Sequence, residues 1–469
     1  MSFARILRSS ALMGGAQVVT LSSGFLRTKV IALVLGPAGV GLAGLFNTYT
    51  GNISALAGWG LGTSGVRLIA GAGVEEKQKA QAAVRRMGWL FSLVGLALGC
   101  LLFWPAARMT FGSSDYVFEM AIVALAVPCL IASGTWSALL QADGRVDSLA
   151  KVQVVGALAG TVLGLPFIYL FGSTGVALAI LLAAAVPAAM LWRAARIHCA
   201  PSSHGSVERA HLDALVKIGG ALMVVGWASQ LSTYLVRMAI IRLEGIEAAG
   251  LYQAAYAIAG SLPGFVFASM GADFFPRVAS TTSEEDALKT TEKQITAGVI
   301  LAAPLIGIIL LFDREILSLL FSRSFDAAAL PMKWLTWGIF VRLLAWPLGF
   351  WMIAKSKPSV VVTVEMGTAV LMVALQAYMT QRAGLTGAGV GFLIGYAVYA
   401  VVLATLSRIA AGRWLAVRTV GLLLLAALAI IACQLIASMT DSLIAKSAMI
   451  VGLASLSAIC FQIFRQNED

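Results

Sequence analysis

Charged residues are scarce in this sequence, since Asp, Glu, Lys and Arg make up only 12% of its 469 residues. An ordinary soluble domain carries about 25% charged residues, which cover its surface with groups that water solvates. Hydrophobic residues make up 59% of the chain, and the mean hydropathy is +0.90. This composition excludes a soluble enzyme. It also excludes a disordered chain, because low hydrophobicity is the signature of disorder.

Cysteine and catalytic motifs are sparse as well. The five cysteines are odd in number and contain no CxxC pair, so they predict neither a disulfide framework nor a metal site. The sequence contains no Walker A loop, no nucleophile elbow, no HExxH and no GxGxxG after a strand. We therefore expect no metal, no cofactor and no enzymatic activity.

Long apolar stretches are what the sequence has in abundance. A helix of about 20 apolar residues crosses a bilayer, and the stretches predict about 14 such crossings. The predicted fold is therefore an all-α polytopic membrane protein. The predicted spans are 10–35, 40–70, 85–107, 117–140, 149–171, 174–196, 213–241, 250–276, 292–312, 328–354, 359–380, 386–407, 414–437 and 444–464.

The distribution of basic residues predicts the orientation of these spans. Lys and Arg outnumber Asp and Glu by 33 to 22, a net charge of +11. With the N-terminus inside, 21 Lys and Arg residues fall in cytoplasmic segments and 7 in outer segments. Because Lys and Arg are enriched in cytoplasmic loops, we expect both termini in the cytoplasm. The same rule explains most of the basic excess without a nucleic-acid partner.

An internal repeat is indicated by two shifts of the sequence against itself. A shift of 209 residues superimposes Gly36 on Gly245, and a shift of 212 superimposes Thr174-Gly175 on Thr386-Gly387. Six spans in each half predict two parallel repeats around a central cavity. The predicted boundaries are 1–197 for the N-terminal repeat, 198–212 for a cytoplasmic linker loop, 213–408 for the C-terminal repeat and 409–469 for two additional helices.

Several basic residues fall inside the predicted spans, where charge is costly and usually faces a polar cavity. A cavity with basic walls selects an anionic ligand, and the planar fork of arginine suits phosphate oxygens. The alternative, which stays open, is that these long side chains reach out to the membrane interface. The candidate substrate-binding residues of this group are Arg27, Lys29, Arg67, Arg237 and Arg342.

Two acidic residues within spans are candidates for ion or proton coupling. Glu365 lies in a strongly apolar part of the eleventh span. It could be neutral, paired with a base, a proton-coupling group or a structural hydrogen-bond partner between helices. Asp273 lies four residues before Arg277, so it is either a coupling group or the partner of that arginine.

Three motifs point to a known family. They are LGPAGVG at 35–41, GLGTSGVR at 60–67 and QADGR at 141–145. These motifs resemble the Wzx-type O-antigen and enterobacterial common antigen translocases of the multidrug/oligosaccharidyl-lipid/polysaccharide exporter superfamily, over roughly the first 410 residues. The count of about 14 spans departs from the 12 of many Wzx proteins and is similar to that of the lipid II flippases.

The resemblance implies a flippase of the bacterial inner membrane that works by alternating access. Its substrate would be an undecaprenyl-diphosphate-linked oligosaccharide, moved from the cytoplasmic to the periplasmic leaflet for O-antigen or related polysaccharide synthesis. Its partners would be membrane lipids and the polysaccharide polymerase machinery. A multidrug-type, cation-coupled antiporter of a soluble substrate is the alternative, which the basic bias within the spans disfavours. Candidate sugar-binding residues are Asn47, Asn52, Tyr252 and Tyr256.

Overall fold

The structure is a computed structural model that describes residues 3–198, 209–440 and 442–466. Within these ranges the chain forms helices joined by short turns, with one 3-10 helix at Arg323–Ala328. The α-helices are α1 (Phe3–Ala57), α2 (Leu61–Gly71), α3 (Val74–Phe111), α4 (Val117–Ala124), α5 (Ala126–Ala142), α6 (Val146–His198), α7 (Arg209–Ser280), α8 (Glu284–Leu311), α9 (Asp313–Leu320), α10 (Ala329–Lys355), α11 (Pro358–Ala411), α12 (Val417–Thr440) and α13 (Leu443–Gln466).

Helix length confirms the predicted number of crossings. Nine helices of the described residues are long and apolar enough to cross a membrane. Three of them, Leu12–Ala57, Val146–Ile197 and Ser359–Ala411, have 46, 52 and 53 residues, whereas one crossing needs about 20. These three and the 72-residue α7 each contain a kink and so form two arms. Counting each arm as one crossing yields the 14 crossings expected from the sequence.

The kinks lie at four glycines with a positive φ, a backbone conformation that glycine adopts without strain from a Cβ atom. The angles are 63° at Gly36, 56° at Gly172, 89° at Gly245 and 56° at Gly384. Gly36 and Gly245 are 209 residues apart, and Gly172 and Gly384 are 212 apart. These kinks, called corners below, therefore recur at the same two shifts as the sequence motifs, which supports an internal duplication.

The chain divides into two compact units, residues 1–250 and 251–469. The first unit contains α1 to α6 and the first arm of α7. The second unit contains the second arm of α7 and all later helices. This division reflects packing and does not test the boundaries inferred from the repeat, which remain predictions.

In the first unit, a row of small residues brings the two arms of α6 together. Gly156, Gly160 and Gly164 follow one another at intervals of four, so they share one helical face. A side-chain carbon at any of the three would lie 3.0 to 3.1 Å from an atom of the second arm, near Ala179, Ala183 or Pro187. Small residues allow this close approach, which supplies dispersion energy where lipid offers no hydrophobic driving force.

In the second unit, two ion pairs hold α12 and α13 against α8 and α9. Glu292 accepts two hydrogen bonds of 2.9 Å from Arg413 and one of 2.6 Å from the backbone N–H of Ala416. Glu315 accepts a 2.9 Å hydrogen bond from Lys446. Partial burial raises the pKa of Glu315. The hydrogen bond from Lys446, a backbone hydrogen bond and nearby positive charges together lower it by more, so the pKa of Glu315 is below its ordinary value.

Arginine–tryptophan pairs lie at the ends of several helices. Trp and Tyr are enriched at membrane–water interfaces, and a guanidinium within about 6 Å of a ring centre gains cation–π attraction. These pairs mark where the helices leave the hydrocarbon region. The pairs are Arg108 on Trp104 at 4.3 Å, Arg196 on Trp192 at 4.8 Å and Arg408 on Trp414 at 4.3 Å.

The corners of α1 and α7 meet through their backbones inside the first unit. A side-chain carbon on Gly41 would overlap the carbonyl oxygen of Ile246, and one on Gly250 would overlap the carbonyl oxygen of Pro37. The two contacts are reciprocal, because Gly41 and Gly250, like Pro37 and Ile246, are 209 residues apart. Only glycine fits at both positions.

We expect Gly250→Ala to destabilise the protein by about 1–3 kcal/mol, the usual effect of overpacking. Gly260→Ala is the matched control on the same helix arm, because a side-chain carbon there meets no atom within 4 Å. Alanine also favours a helix over glycine, so the control should be neutral or stabilising. Thermal unfolding in detergent micelles measures the difference, and equal midpoints for the two variants would contradict the close contact.

Candidate functional site

The candidate site in the second unit is built around Arg342. This residue lies midway along α10, 13 residues from each end of the helix, so we expect it to lie deep in the membrane. Its guanidinium carbon lies 5.4 Å from the ring centre of Phe267 and 5.6 Å from that of Tyr396. Among the described residues, Arg342 has no hydrogen-bond or ion-pair partner. Its five N–H donors thus have no acceptor in the part of the chain that the structure describes.

Aromatic rings continue from Arg342 along the second arms of α7 and α11. Tyr396 lies 4.8 Å from Phe392, which lies 5.9 Å from Tyr256, which in turn stacks on Tyr252 at 6.0 Å. The Tyr252 hydroxyl donates a 2.8 Å hydrogen bond to Gln376 Oε1. This aromatic row presents ring faces and some hydroxyl groups, a combination suited to a partly polar ligand.

Glu365 is connected to Arg342 through two tyrosines. The Tyr399 hydroxyl donates a 2.6 Å hydrogen bond to Glu365 Oε1, and the rings of Tyr399 and Tyr396 lie 6.4 Å apart. Gly349, two turns after Arg342 on α10, leaves room for this hydroxyl, which would lie 3.3 Å from an added side-chain carbon. The hydrogen bond from Tyr399 fits the structural alternative considered for Glu365 and leaves its coupling role a prediction.

The structure thus brings together four residues that the sequence singled out separately, namely Arg342, Tyr252, Tyr256 and Glu365. The sequence interpretation did not include Phe392, Tyr396 and Tyr399. These three follow at spacings of four and three, which places them on one helical face. That spacing was a usable signal, but only the fold shows that this face meets Arg342.

The basic candidates of the first unit have varied surroundings. Arg237 is 6% exposed, and its Nη1 donates a 2.8 Å hydrogen bond to the carbonyl oxygen of Gly44. Arg27 is half-buried and, like Arg342, has no hydrogen-bond or ion-pair partner among the described residues. Lys29 is half-buried, and Arg67 is exposed on the short helix α2. Their roles toward a substrate stay predictions.

The two asparagine candidates also belong to the first unit. Asn47 is exposed, and its Nδ2 donates a 2.8 Å hydrogen bond to the carbonyl oxygen of Ala43. Asn52 is buried and bonds to α1 and to the first arm of α7. The side chain of Asp273 lies outside the described part of the structure. In that described part, no three His, Cys, Asp or Glu side chains form a group that could hold a metal.

Comparison with known proteins places the chain in a family. The family model described as "Polysaccharide biosynthesis protein" matches residues 6–282, more than half of the chain. The Lipid III flippase of Escherichia coli (strain K12) is 22% identical over 404 residues, covering 84% of this chain and 96% of that protein. The same-named protein of Shigella flexneri matches equally.

Solved structures share the fold. The lipid II flippase MurJ in an inward closed conformation has a TM-score of 0.68 and 13% identity, covering 97% of this chain and 99% of that chain. An inward-facing multidrug resistance MATE family transporter of the MOP superfamily has a TM-score of 0.65 and 17% identity, covering 86% and 95%. At these identities the likeness concerns the fold alone.

These findings confirm the resemblance drawn from the three sequence motifs. The matched proteins are flippases and a transporter rather than enzymes, which confirms the expectation of a non-enzymatic multi-pass membrane protein. From the family match over residues 6–282, the chain belongs to the polysaccharide biosynthesis protein family.

Proposed function

We propose that this protein is a flippase of the bacterial inner membrane for undecaprenyl-diphosphate-linked oligosaccharides. It moves them from the cytoplasmic to the periplasmic leaflet by alternating access, in O-antigen or related surface polysaccharide synthesis. The polysaccharide polymerase machinery is its proposed partner downstream. The Lipid III flippases among its relatives support a lipid-linked saccharide as the substrate class.

The observation that carries the proposal is the cation at Arg342, which has no hydrogen-bond or ion-pair partner among the described residues. Two cation–π contacts stabilise a guanidinium by about 0.5–2 kcal/mol each, well below the cost of removing the charge from water. A phosphate about 4 Å away would add about 4 kcal/mol at an effective dielectric constant of 20. An anionic ligand is therefore the partner that offsets the desolvation of Arg342, and a diphosphate supplies it.

The remaining site residues are proposed to bind different parts of the substrate, the basic ones the diphosphate and the aromatic and amide ones the sugars. Arg27, which also has no partner among the described residues, is a second proposed ligand of the diphosphate, with Lys29, Arg67 and Arg237 as further candidates. The aromatic row is proposed to pack against sugar rings, beginning with Tyr252 and Tyr256. Asn47 and Asn52 are the amide candidates for sugar hydroxyls.

A multidrug-type, cation-coupled antiporter of a soluble substrate is the alternative, and the shared fold with a MATE transporter favours it. A pathway for cations needs acidic walls, whereas Arg342 places a positive charge with no acidic partner among the described residues midway along α10. Like charges in a site of low dielectric repel strongly. The flippase proposal therefore fits the charges of this chain better.

The first test replaces Arg342 in proteoliposomes carrying a fluorescent undecaprenyl-diphosphate oligosaccharide, with leaflet exposure measured by an impermeant quencher. Charge-assisted hydrogen bonds contribute about 1.5–3 kcal/mol each, so Arg342→Ala should slow transport tenfold or more. Arg342→Lys keeps the charge without the bidentate fork and should be intermediate. Arg27→Ala should resemble Arg342→Ala.

Arg382→Ala is the matched control for these variants, because Arg382 is exposed and stacks on Tyr378 at 5.5 Å. It should transport at the wild-type rate. Wild-type transport by Arg342→Ala at equal protein levels would remove the basis of the proposal.

The second test concerns coupling, for which Glu365 and Asp273 are the proposed groups. Glu365→Gln cannot bind a proton, yet its side-chain oxygen can still accept the hydrogen bond from Tyr399. If Glu365 couples transport to protons, this variant should fold normally and lose its response to an imposed pH gradient. Tyr399→Phe keeps the carboxyl group and should retain a response. A normal gradient response in Glu365→Gln would leave Glu365 with a structural role alone.

The third test concerns the proposed cytoplasmic termini. Cys199 belongs to the predicted cytoplasmic linker and lies outside the described residues. With the other four cysteines replaced by serine, an impermeant maleimide should label Cys199 only after intact cells are permeabilised. Ser324→Cys, at an exposed position in a predicted outer segment, should react without permeabilisation. The opposite pattern would invert the orientation.

A further inference from the structure

A cavity of about 280 Å³ lies within the first unit, apart from the site around Arg342. Its walls come from the second arm of α1, the C-terminal part of α3 and the first arm of α7. Asn52 is its one amide side chain, and the other lining residues are aliphatic or aromatic, including Tyr49, Trp227 and Tyr234. Among the described residues, none of those that line the cavity is charged.

Asn52 leaves one hydrogen-bond acceptor unsatisfied. The side chain is 8% exposed, and Nδ2 donates 2.9 Å hydrogen bonds to the carbonyl oxygens of Thr48 and Gln230. Both N–H groups are thereby used, so the amide cannot rotate without turning its oxygen toward two carbonyl oxygens. Oδ1 is buried and has no hydrogen-bond partner among the described residues.

The tyrosine hydroxyls at the cavity are engaged with α3. Tyr49 donates a 2.9 Å hydrogen bond to the carbonyl oxygen of Gly99, and the Tyr234 hydroxyl lies 3.0 Å from the hydroxyl of Thr110. A single water is a poor occupant, because a buried water typically makes about three hydrogen bonds and fills about 30 Å³. The unsatisfied Asn52 oxygen therefore calls for a larger ligand that brings one donor.

The cavity adjoins an exposed apolar side of α3. Leu102 and Met109, which line it, are 37% and 60% exposed and lie seven residues apart, on one face of the helix. Leu101 and Trp104 on the same helix are 70% and 48% exposed. In a membrane such apolar surface contacts lipid, so a ligand dissolved in the bilayer has access from this side.

The chemistry of the walls selects among ligands. A phosphate or an ammonium group would be buried without a counter-charge, which is prohibitively costly. A saccharide would bury several hydroxyl groups against a single free acceptor. A neutral, mostly hydrocarbon molecule with one hydroxyl group fits the apolar walls and satisfies Asn52.

We infer that this cavity is a binding site for a long-chain alcohol from the bilayer, whose hydroxyl group donates to Asn52 Oδ1 while its chain lies between α1, α3 and α7. Isoprenoid and straight-chain alcohols share this chemistry. Asn52, a candidate for sugar hydroxyls under the proposed function, is assigned here to the alcohol instead, and the site uses neither Arg342 nor the aromatic row.

The test uses the full-length protein in lipid nanodiscs with a diazirine-bearing farnesol probe and mass spectrometry of the labelled peptides. Labels should fall on α1 residues 49–56, α3 residues 102–109 or α7 residues 227–238. Farnesol should compete about tenfold more strongly than farnesyl methyl ether, because the ether has no donor for Asn52. Dodecanol and its methyl ether form the straight-chain pair. Whichever of farnesol and dodecanol competes more strongly with the probe identifies the preferred type of chain.

Ala106→Phe fills the cavity and should abolish labelling of these segments. Ala97→Phe makes the same substitution on the exposed face of α3 away from the cavity and should not reduce it. Asn52→Leu should remove the preference for alcohol over ether. Equal competition by alcohol and ether in the wild type, or undiminished labelling in Ala106→Phe, would overturn the inference.

Discussion

The constraint behind this structure is that lipid offers no hydrogen bonds to a polypeptide backbone. Each unsatisfied peptide group in the hydrocarbon region costs several kcal/mol, so a spanning chain with no closed barrel must be helical. Helices of 53 to 72 residues can then change direction only where the backbone leaves the helical conformation. Gly36, Gly172, Gly245 and Gly384 provide these places, since a positive φ is cheap only for glycine.

Because the hydrocarbon region lacks solvent, a buried charge also needs a partner that compensates for the lost hydration. Glu292 is neutralised by Arg413 and hydrogen-bonded by a backbone N–H, so it contributes to packing between α8 and the α12 segment. Arg237 donates to a backbone carbonyl and likewise has a structural bond. Arg342 is covered by two aromatic rings and has no acidic partner among the described residues. An anionic ligand is the partner proposed for it, whereas Glu292 and Arg237 have partners within the protein.

The sequence predicted the basic candidates of the first unit and the aromatic residues of the second to different extents. The sequence made Arg27 and Arg237 look equivalent, because both are basic residues inside a predicted span. The fold separates them, since Arg237 bonds to Gly44 and Arg27 has no partner among the described residues. Tyr396 and Tyr399 have the helical spacing of a shared face, but their importance depends on Arg342 and Glu365, which belong to other helices or arms.

The sequence by itself determined the class of the protein, the number of crossings and the positions of the corners. These properties depend on local hydropathy and on glycine, and both act within a few residues of the chain. Only the tertiary structure decided which charged side chains are paired, which rings cover Arg342 and where Asn52 keeps an unsatisfied oxygen. Such contacts join residues as far apart as Phe267 and Tyr396, and periodicity along one helix does not specify which face of another helix it meets.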